Sequence, residues 1–152
     1  MNISRTPPDE PTPVPGRLYF RQLLAGRDIA TADSLARQMV NFVYLIGDRE
    51  TGDAVVIDPA YDIAGILDVV AADGMRLTGA LATHYHPDHV GGEMMGYSIQ
   101  GVHELLAAVQ VPVHVQTAEA ELVRKVTDLS PADLVTHESG DRVMVGDLAI
   151  EL

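Results

Sequence analysis

The chain has 152 residues, with 22 Asp and Glu against 10 Lys and Arg, for a formal net charge of −12. That balance repels phosphate backbones and anionic lipid and so argues against nucleic acid and membrane surfaces as partners. The absence of Cys excludes disulfides, thiolate metal sites and a cysteine nucleophile together.

An apolar fraction of 47% fits one globular domain with a single core. No apolar run approaches the ~20 residues that cross a bilayer. The opening residues Met1-Asn2-Ile3-Ser4-Arg5-Thr6-Pro7-Pro8 contain no apolar signal-peptide core, which points to the cytoplasm. Residues 6–16 hold five of the nine prolines. Proline fixes φ and removes a donor, so residues 1–16 read as a flexible tail and residues 17–152 as the domain.

Strand and helix signals alternate from Leu18 onward. Residues 39–46 are β-branched and aromatic, GDRETGD supplies turn chemistry, and Ala54-Val55-Val56-Ile57 resumes the strand pattern, which predicts a hairpin. Asp58-Pro59 ends it, because proline cannot donate to a ladder. Asp62 is the expected N-cap of a helix with Ile63, Ile66, Leu67 and Val70 on one face and Gly74 as its stop. Residues 79–83 form a short apolar run, as expected of a buried strand. A second helix is expected at 101–109, then a strand at 111–115 and a helix capped by Thr117 through Val126. Val143-Met144-Val145 and Leu148 to Leu152 flank Gly146-Asp147 as a closing hairpin. The alternation indicates a layered α/β domain.

The chemistry is concentrated in Thr83-His84-Tyr85-His86-Pro87-Asp88-His89-Val90-Gly91-Gly92. In an extended chain His84 and His86 point to the same side. Pro87 then forces the chain out of the strand, so that Asp88 and His89 face the same space from the following loop. Gly91 and Gly92 permit a sharp turn and a close approach to a ligand. Imidazole and carboxylate are the expected ligands of a borderline cation such as zinc where no thiolate exists. Packed without a cation, these groups would each need a partner of their own at a strand end.

The pattern His84-x-His86-x-Asp88-His89 resembles the signature of the metallo-β-lactamase-fold hydrolases, and the flanking Thr83 and Gly91-Gly92 resemble the glyoxalase II-like branch. The resemblance extends back to residues 41–46 and 53–59 and forward to Ser139–Leu148. It implies an αββα sandwich, of which this chain supplies the N-terminal part. It implies that His84 and His86 share one metal, that Asp88 and His89 hold a second, and that a water activated by the cations is the nucleophile. Asp88 orients that water or handles its proton, and Asp58 braces the site from behind or simply caps the turn before Pro59.

The implied cofactor is zinc, two ions in a complete site, and the implied substrate is a small thioester or ester. Iron is the alternative, as in the persulfide dioxygenase relatives, and a non-catalytic metal-binding module is a third reading. The family pattern also carries a third histidine for the first metal and further ligands downstream. His103, His114 and His137 have no neighbouring ligand pattern and are expected to be ordinary exposed or hydrogen-bonded histidines. A two-sheet sandwich buries each inner face against the other. Phe42, Val55 and Ile57 are therefore expected to lose cover unless a longer chain, or a second copy in a homo-oligomer, supplies it.

Overall fold

The structure is a computed structural model and describes residues 16–152. Apart from Gly16, the proline-rich stretch lies outside the described residues. Among the described residues no helix is long and apolar enough to cross a membrane.

Six strands form the main sheet: β1 (Leu18–Leu24), β2 (Phe42–Asp48), β3 (Asp53–Ile57), β4 (Arg76–Ala82), β7 (Val113–Gln116) and β8 (Leu134–His137), in the order β1-β2-β3-β4-β7-β8. The first three run antiparallel, β2 and β3 joined by a tight turn; β3, β4, β7 and β8 run parallel. Parallel neighbours need crossovers, and helices supply them. These are α2 (Ile63–Ala72), then α3 (Pro87–Val90) with α4 (Val102–Ala108), then α5 (Thr117–Thr127). A short α1 (Ser34–Met39) connects β1 to β2.

Period-two alternation divides the sheet into two faces. Val43, Leu45, Ala54, Val56, Ala80, Ala82, Val113 and Val115 point to one side and pack against Leu35, Ile66, Val70, Leu105 and Val123 of the helices. Among the described residues, helices pack on this side alone. The expected hairpin at the end of the chain forms as β9 (Arg142–Val145) and β10 (Leu148–Glu151) and lies on the opposite face. There Val145 packs with Val55 and Leu81, and Ile46, Ile57, Leu148, Ile150 and Leu152 surround them. The described residues thus supply the helix layer, one sheet and the beginning of a second β layer. Val55 is 1% exposed under that hairpin, whereas Phe42, farther along the same face, is 37% exposed. The expected loss of cover holds for Phe42, not for Val55.

An ionic clasp docks the hairpin. Asp48 is fully buried and accepts from Arg17 Nε at 2.9 Å and Nη2 at 2.9 Å, and from the backbone N–H of Asp147 at 3.0 Å. The Arg17 guanidinium holds this carboxyl well below the ordinary carboxylate range. Gly146, at φ +56, makes the approach possible, since a Cβ there would lie 2.7 Å from Asp48 Oδ2 and 2.3 Å from Thr51 Oγ1.

Asp62 does cap α2, accepting from Gly65 N at 2.9 Å, and its second oxygen accepts from Ala30 N at 2.9 Å. Two expectations shift. Met39 ends α1 and Val40 takes a left-handed φ of 58, so the strand expected at 39–46 begins at Phe42. Thr117 is the first residue of α5 rather than its cap, and its hydroxyl donates to His137 O at 3.2 Å. Between α3 and α4 the chain forms a small hairpin, β5 (Gly92–Met94) with β6 (Tyr97–Ile99).

Replacing Ile66, which is fully buried, by Ala is expected to destabilise the fold by about 2–5 kcal/mol in urea unfolding, the cost of a core cavity. Asp48→Ala is expected to leave Arg17 without its buried partner. Amide exchange of residues 143–150 should then rise, while that of β3 and β4 stays protected.

Candidate metal centre

The site forms where the parallel strands end. β4 stops at Ala82, Thr83 and His84 make a bend, and Pro87 opens the one-turn helix α3. His84 and His86 therefore do not alternate along an extended strand as expected. The bend brings their rings together all the same, with centroids 4.7 Å apart and edges crossed at 78°. His84 also lies against His89, with centroids 4.2 Å apart. Asp88 is buried on α3, and its Oδ2 is 3.5 Å from His89 Nε2. The motif thus gathers in one place.

Gly91 and Gly92 bring the backbone close to protein rather than to a ligand. A Cβ on Gly91 would lie 2.6 Å from Gly101 Cα, and one on Gly92 2.6 Å from Val126 O. Their φ values of +89 and +120 suit glycine as well. They let α3 pack tightly against the starts of α4 and the end of α5.

Asp58 stands at the centre of the cluster. It closes β3 in a left-handed conformation, φ 53, with its N–H donating to Leu81 O at 2.9 Å. The residue is 6% exposed, and its side chain turns toward the motif. Oδ1 accepts from the Thr83 N–H at 2.8 Å, and Oδ2 accepts from the Thr83 hydroxyl at 2.6 Å. Oδ2 also lies 3.0 Å from His89 Nδ1, and Thr83 Oγ1 lies 2.9 Å from His84 Nδ1. Asp58, His84 and His89 each offer a ligand atom within 4.8 Å of the others. Both Asp58 oxygens are engaged by these donors.

The electrostatics follow. Burial, with the neighbouring His89 charge, lowers the His84 pKa. The hydrogen bond to Asp58 raises that of His89, against the opposing effect of burial.

Three residues outside the motif reach it. Asn41, just before β2, directs Nδ2 at Asp88 Oδ2 and at His89 Nε2, 3.1 Å from each. Tyr61 is buried and donates its hydroxyl to Asn41 Oδ1 at 3.0 Å. Glu119 on α5 accepts from Tyr85 N at 3.1 Å. Only Asn41, inside the hairpin segment that resembles the family, carried any sequence signal. The other two come from distant helices and loops. Beside Thr83 opens a groove of ≈ 310 Å³ whose walls include Ile57, Leu81, His114, Gln116, Ile150 and Leu152.

The other histidines lie elsewhere. His114 and His137 pair on the sheet face that carries Val55 and Leu81, Nδ1 to Nε2 at 2.9 Å, and His103 lines a separate cleft with Gly92 and Asp128.

Residues 36–119, more than half of the chain, match the model of the metallo-beta-lactamase superfamily. Over 106 residues the chain is 38% identical to a hydroxyacylglutathione hydrolase of Fuscovulum blasticum, covering 70% of this chain and 35% of that protein. Over 110 residues it is 34% identical to the human mitochondrial persulfide dioxygenase ETHE1, covering 66% and 43%. The chain therefore spans less than half the length of these relatives. The crystal structure of ETHE1 from Myxococcus xanthus superposes on 88% of this chain and 46% of that one, with a TM-score of 0.60 and 26% identity. A metallo-beta-lactamase from Staphylococcus aureus shares the fold at a TM-score of 0.63 and 21% identity, over 88% of this chain and 33% of that one. With the family model, the sequence identities and the fold in agreement, this chain belongs to the metallo-beta-lactamase superfamily.

Proposed function

We propose that the chain forms the metal-binding part of a hydrolase that cleaves a small thioester or ester, with zinc as its cofactor and two ions in the complete site. The superfamily's fold implies metal ions, and one observation carries their placement here. Asp58 accepts from His89 Nδ1 and, through the Thr83 hydroxyl, orients His84 Nδ1. Thr83 has one hydroxyl proton and gives it to Asp58, so its oxygen accepts from His84 Nδ1–H. Both imidazoles are thereby held as Nδ1–H tautomers with the Nε2 lone pair available, the carboxylate–histidine arrangement typical behind metal ligands.

The donor set fits: imidazole nitrogen and carboxylate oxygen without thiolate suit zinc and also ferrous iron. When bound, the cations supply Lewis acidity and bring the pKa of a water toward neutrality. In this reading His84 and His86 hold one ion and Asp88 and His89 the other. Asp88, beside them, positions the attacking water and takes its proton. The groove beside Thr83 offers apolar walls to a small substrate.

The hydroxyacylglutathione hydrolase relatives favour an acyl-sulfur substrate, since that is the bond their name describes. A second reading, oxidation of a persulfide at a single iron, is favoured by the 34% identity to a persulfide dioxygenase. Elemental analysis separates the two readings: zinc with thioester turnover supports the first, whereas iron with oxygen consumption on a persulfide supports the second.

Replacing His84 and Asp88 together by Ala is expected to abolish both metal uptake and thioester hydrolysis; retained turnover would overturn their roles. The chelator-treated chain gives a second check. The Asp58 hydrogen bond raises His89 above its ordinary 6.5. This contribution to stability is fully present below that pH and lost as pH rises through the raised value. The lowered His84 behaves oppositely: its contribution is present above 6.5 and lost as pH falls through the lowered value. Asp58→Asn is expected to bring the His89 pKa down in an NMR titration and to weaken zinc binding about 10- to 100-fold.

A further inference from the structure

The link between His84 and His86 is held from another element. Tyr85 is the one residue that separates them, and its N–H donates to Glu119 Oε2 at 3.1 Å. Glu119 lies in the first turn of α5, 34 residues further along the chain. Topology delivers it there. β7 runs parallel to β4 and pairs Val115 with Ala82, so the two strands end side by side. α5 begins directly after β7 and sets its first turn against the exit bend of β4.

Both ends of α5 are fixed. At its start the Thr117 hydroxyl donates to His137 O of β8 at 3.2 Å. Toward its end, Val126 O lies so near Gly92 that a Cβ on that glycine would approach it to 2.6 Å. Between them Val123 is fully buried in the core. Glu119 therefore reaches the bend from a rigid support. An acidic side chain also suits the first turn, where the helix presents its positive end.

Tyr85 is gripped twice. Its ring is half-buried against the core and meets the His86 ring edge-on, with centroids 4.9 Å apart at 69°. Its amide is turned to Glu119. A planar peptide moves only through the dihedrals on either side, so fixing this N–H fixes ψ of His84 and φ of Tyr85 together. Turning that plane changes the spacing of His84 and His86, and ligands serve a cation only when held within about 0.5 Å of the productive geometry. A water satisfies such an amide in many directions. A carboxylate on an anchored helix selects one.

We propose that Glu119 is a positioning residue of the metal centre, which by accepting the Tyr85 N–H sets the placement of His84 relative to His86 for the cation they share. The role rests on the metal-dependent reading above. It belongs to the hydrogen bond rather than to the negative charge, and that separates Glu119 from the metal ligands themselves.

Calorimetric titration of the chelator-treated chain with Zn²⁺ alone tests it, with the Tyr85 amide followed by NMR and the metal-free stability by urea unfolding. Glu119→Ala is expected to shift the Tyr85 amide upfield and to weaken zinc binding about 10-fold, the lower end of what loss of a ligand-orienting partner costs. Glu119→Gln keeps an acceptor oxygen and is expected to hold zinc within about threefold of wild type. Val123→Ala loosens the same helix away from the bend, and is expected to lower stability while zinc affinity stays within about threefold. An unchanged zinc affinity in Glu119→Ala, with the Tyr85 amide displaced, overturns the role. Equal weakening in Glu119→Ala and Val123→Ala overturns it too, since a looser α5 then accounts for both. Should Glu119→Ala fail to fold, Glu119→Gln and Glu119→Asp decide: zinc affinity is expected to fall where the Tyr85 amide moves and to hold where it does not. Either one moving without the other overturns the role. A wild-type chain that binds no zinc overturns the metal-dependent reading and this role with it, whereas the other outcomes overturn the role alone.

Discussion

One carboxylate organises the site. Asp58 lies at the end of β3 in a left-handed conformation that costs a non-glycine residue of order 1 kcal/mol or more. From there it collects a backbone N–H, a hydroxyl and an imidazole within 3.0 Å. A buried carboxylate is stable only when its lone pairs are filled by such donors. The same contacts that satisfy Asp58 orient the rings of His84 and His89. Stabilising the strand end and aiming the histidines are thus one interaction. The parallel β3–β4 pairing supplies its frame, because it places the end of β3 beside the exit bend of β4.

A second buried carboxylate does the structural counterpart at the opposite end of the strands. Asp48 ends β2 and binds both Arg17, just before β1, and the turn of the hairpin β9–β10. Through it the hairpin reaches across the sheet to cover Val55 and Leu81. Ile150 and Leu152 of that hairpin also form one wall of the groove beside Thr83. The placement of that wall relative to the histidines therefore depends on an ion pair distant from the motif. Exposed ion pairs contribute little, but one with a fully buried member is costly to break.

How much of this could be read from the sequence follows from the range of the forces involved. The motif was legible because His84, His86, Asp88 and His89 are close neighbours and no conformation of six residues can disperse them far. Asp62 and the apolar spacing of Ile63, Ile66 and Val70 announced α2 because capping and helical periodicity are local. The N-terminal β1 and α1 were not legible as such. Leu18 and Phe20 are exposed, so β1 lacks a clean inward and outward alternation, and α1 spans only six residues. The extended geometry expected for His84 and His86 failed because β4 ends at Ala82 and the chain bends before Pro87. Gly91 and Gly92 gave the right signal for a close approach, but nothing local says whether ligand or backbone lies opposite. Tyr61 and Glu119 reach the site from 23 residues before His84 and 30 after His89, a distance over which spacing carries no information.

The site also shows why a metal motif involves residues that are not part of its signature. His89 Nε2 and Asp88 Oδ2 are both acceptors, held 3.5 Å apart by the turn of α3. Two acceptors at that range repel unless something positive stands between them: a proton, a pair of amide hydrogens or a cation. A shared proton would remove the charge that makes Asp88 useful as a base. Asn41, held in place by the Tyr61 hydroxyl, instead bridges the pair with a neutral dipole. An amide backed by a phenol thus joins two acceptors with a neutral group, where a lysine in the same position would place a full positive charge between them.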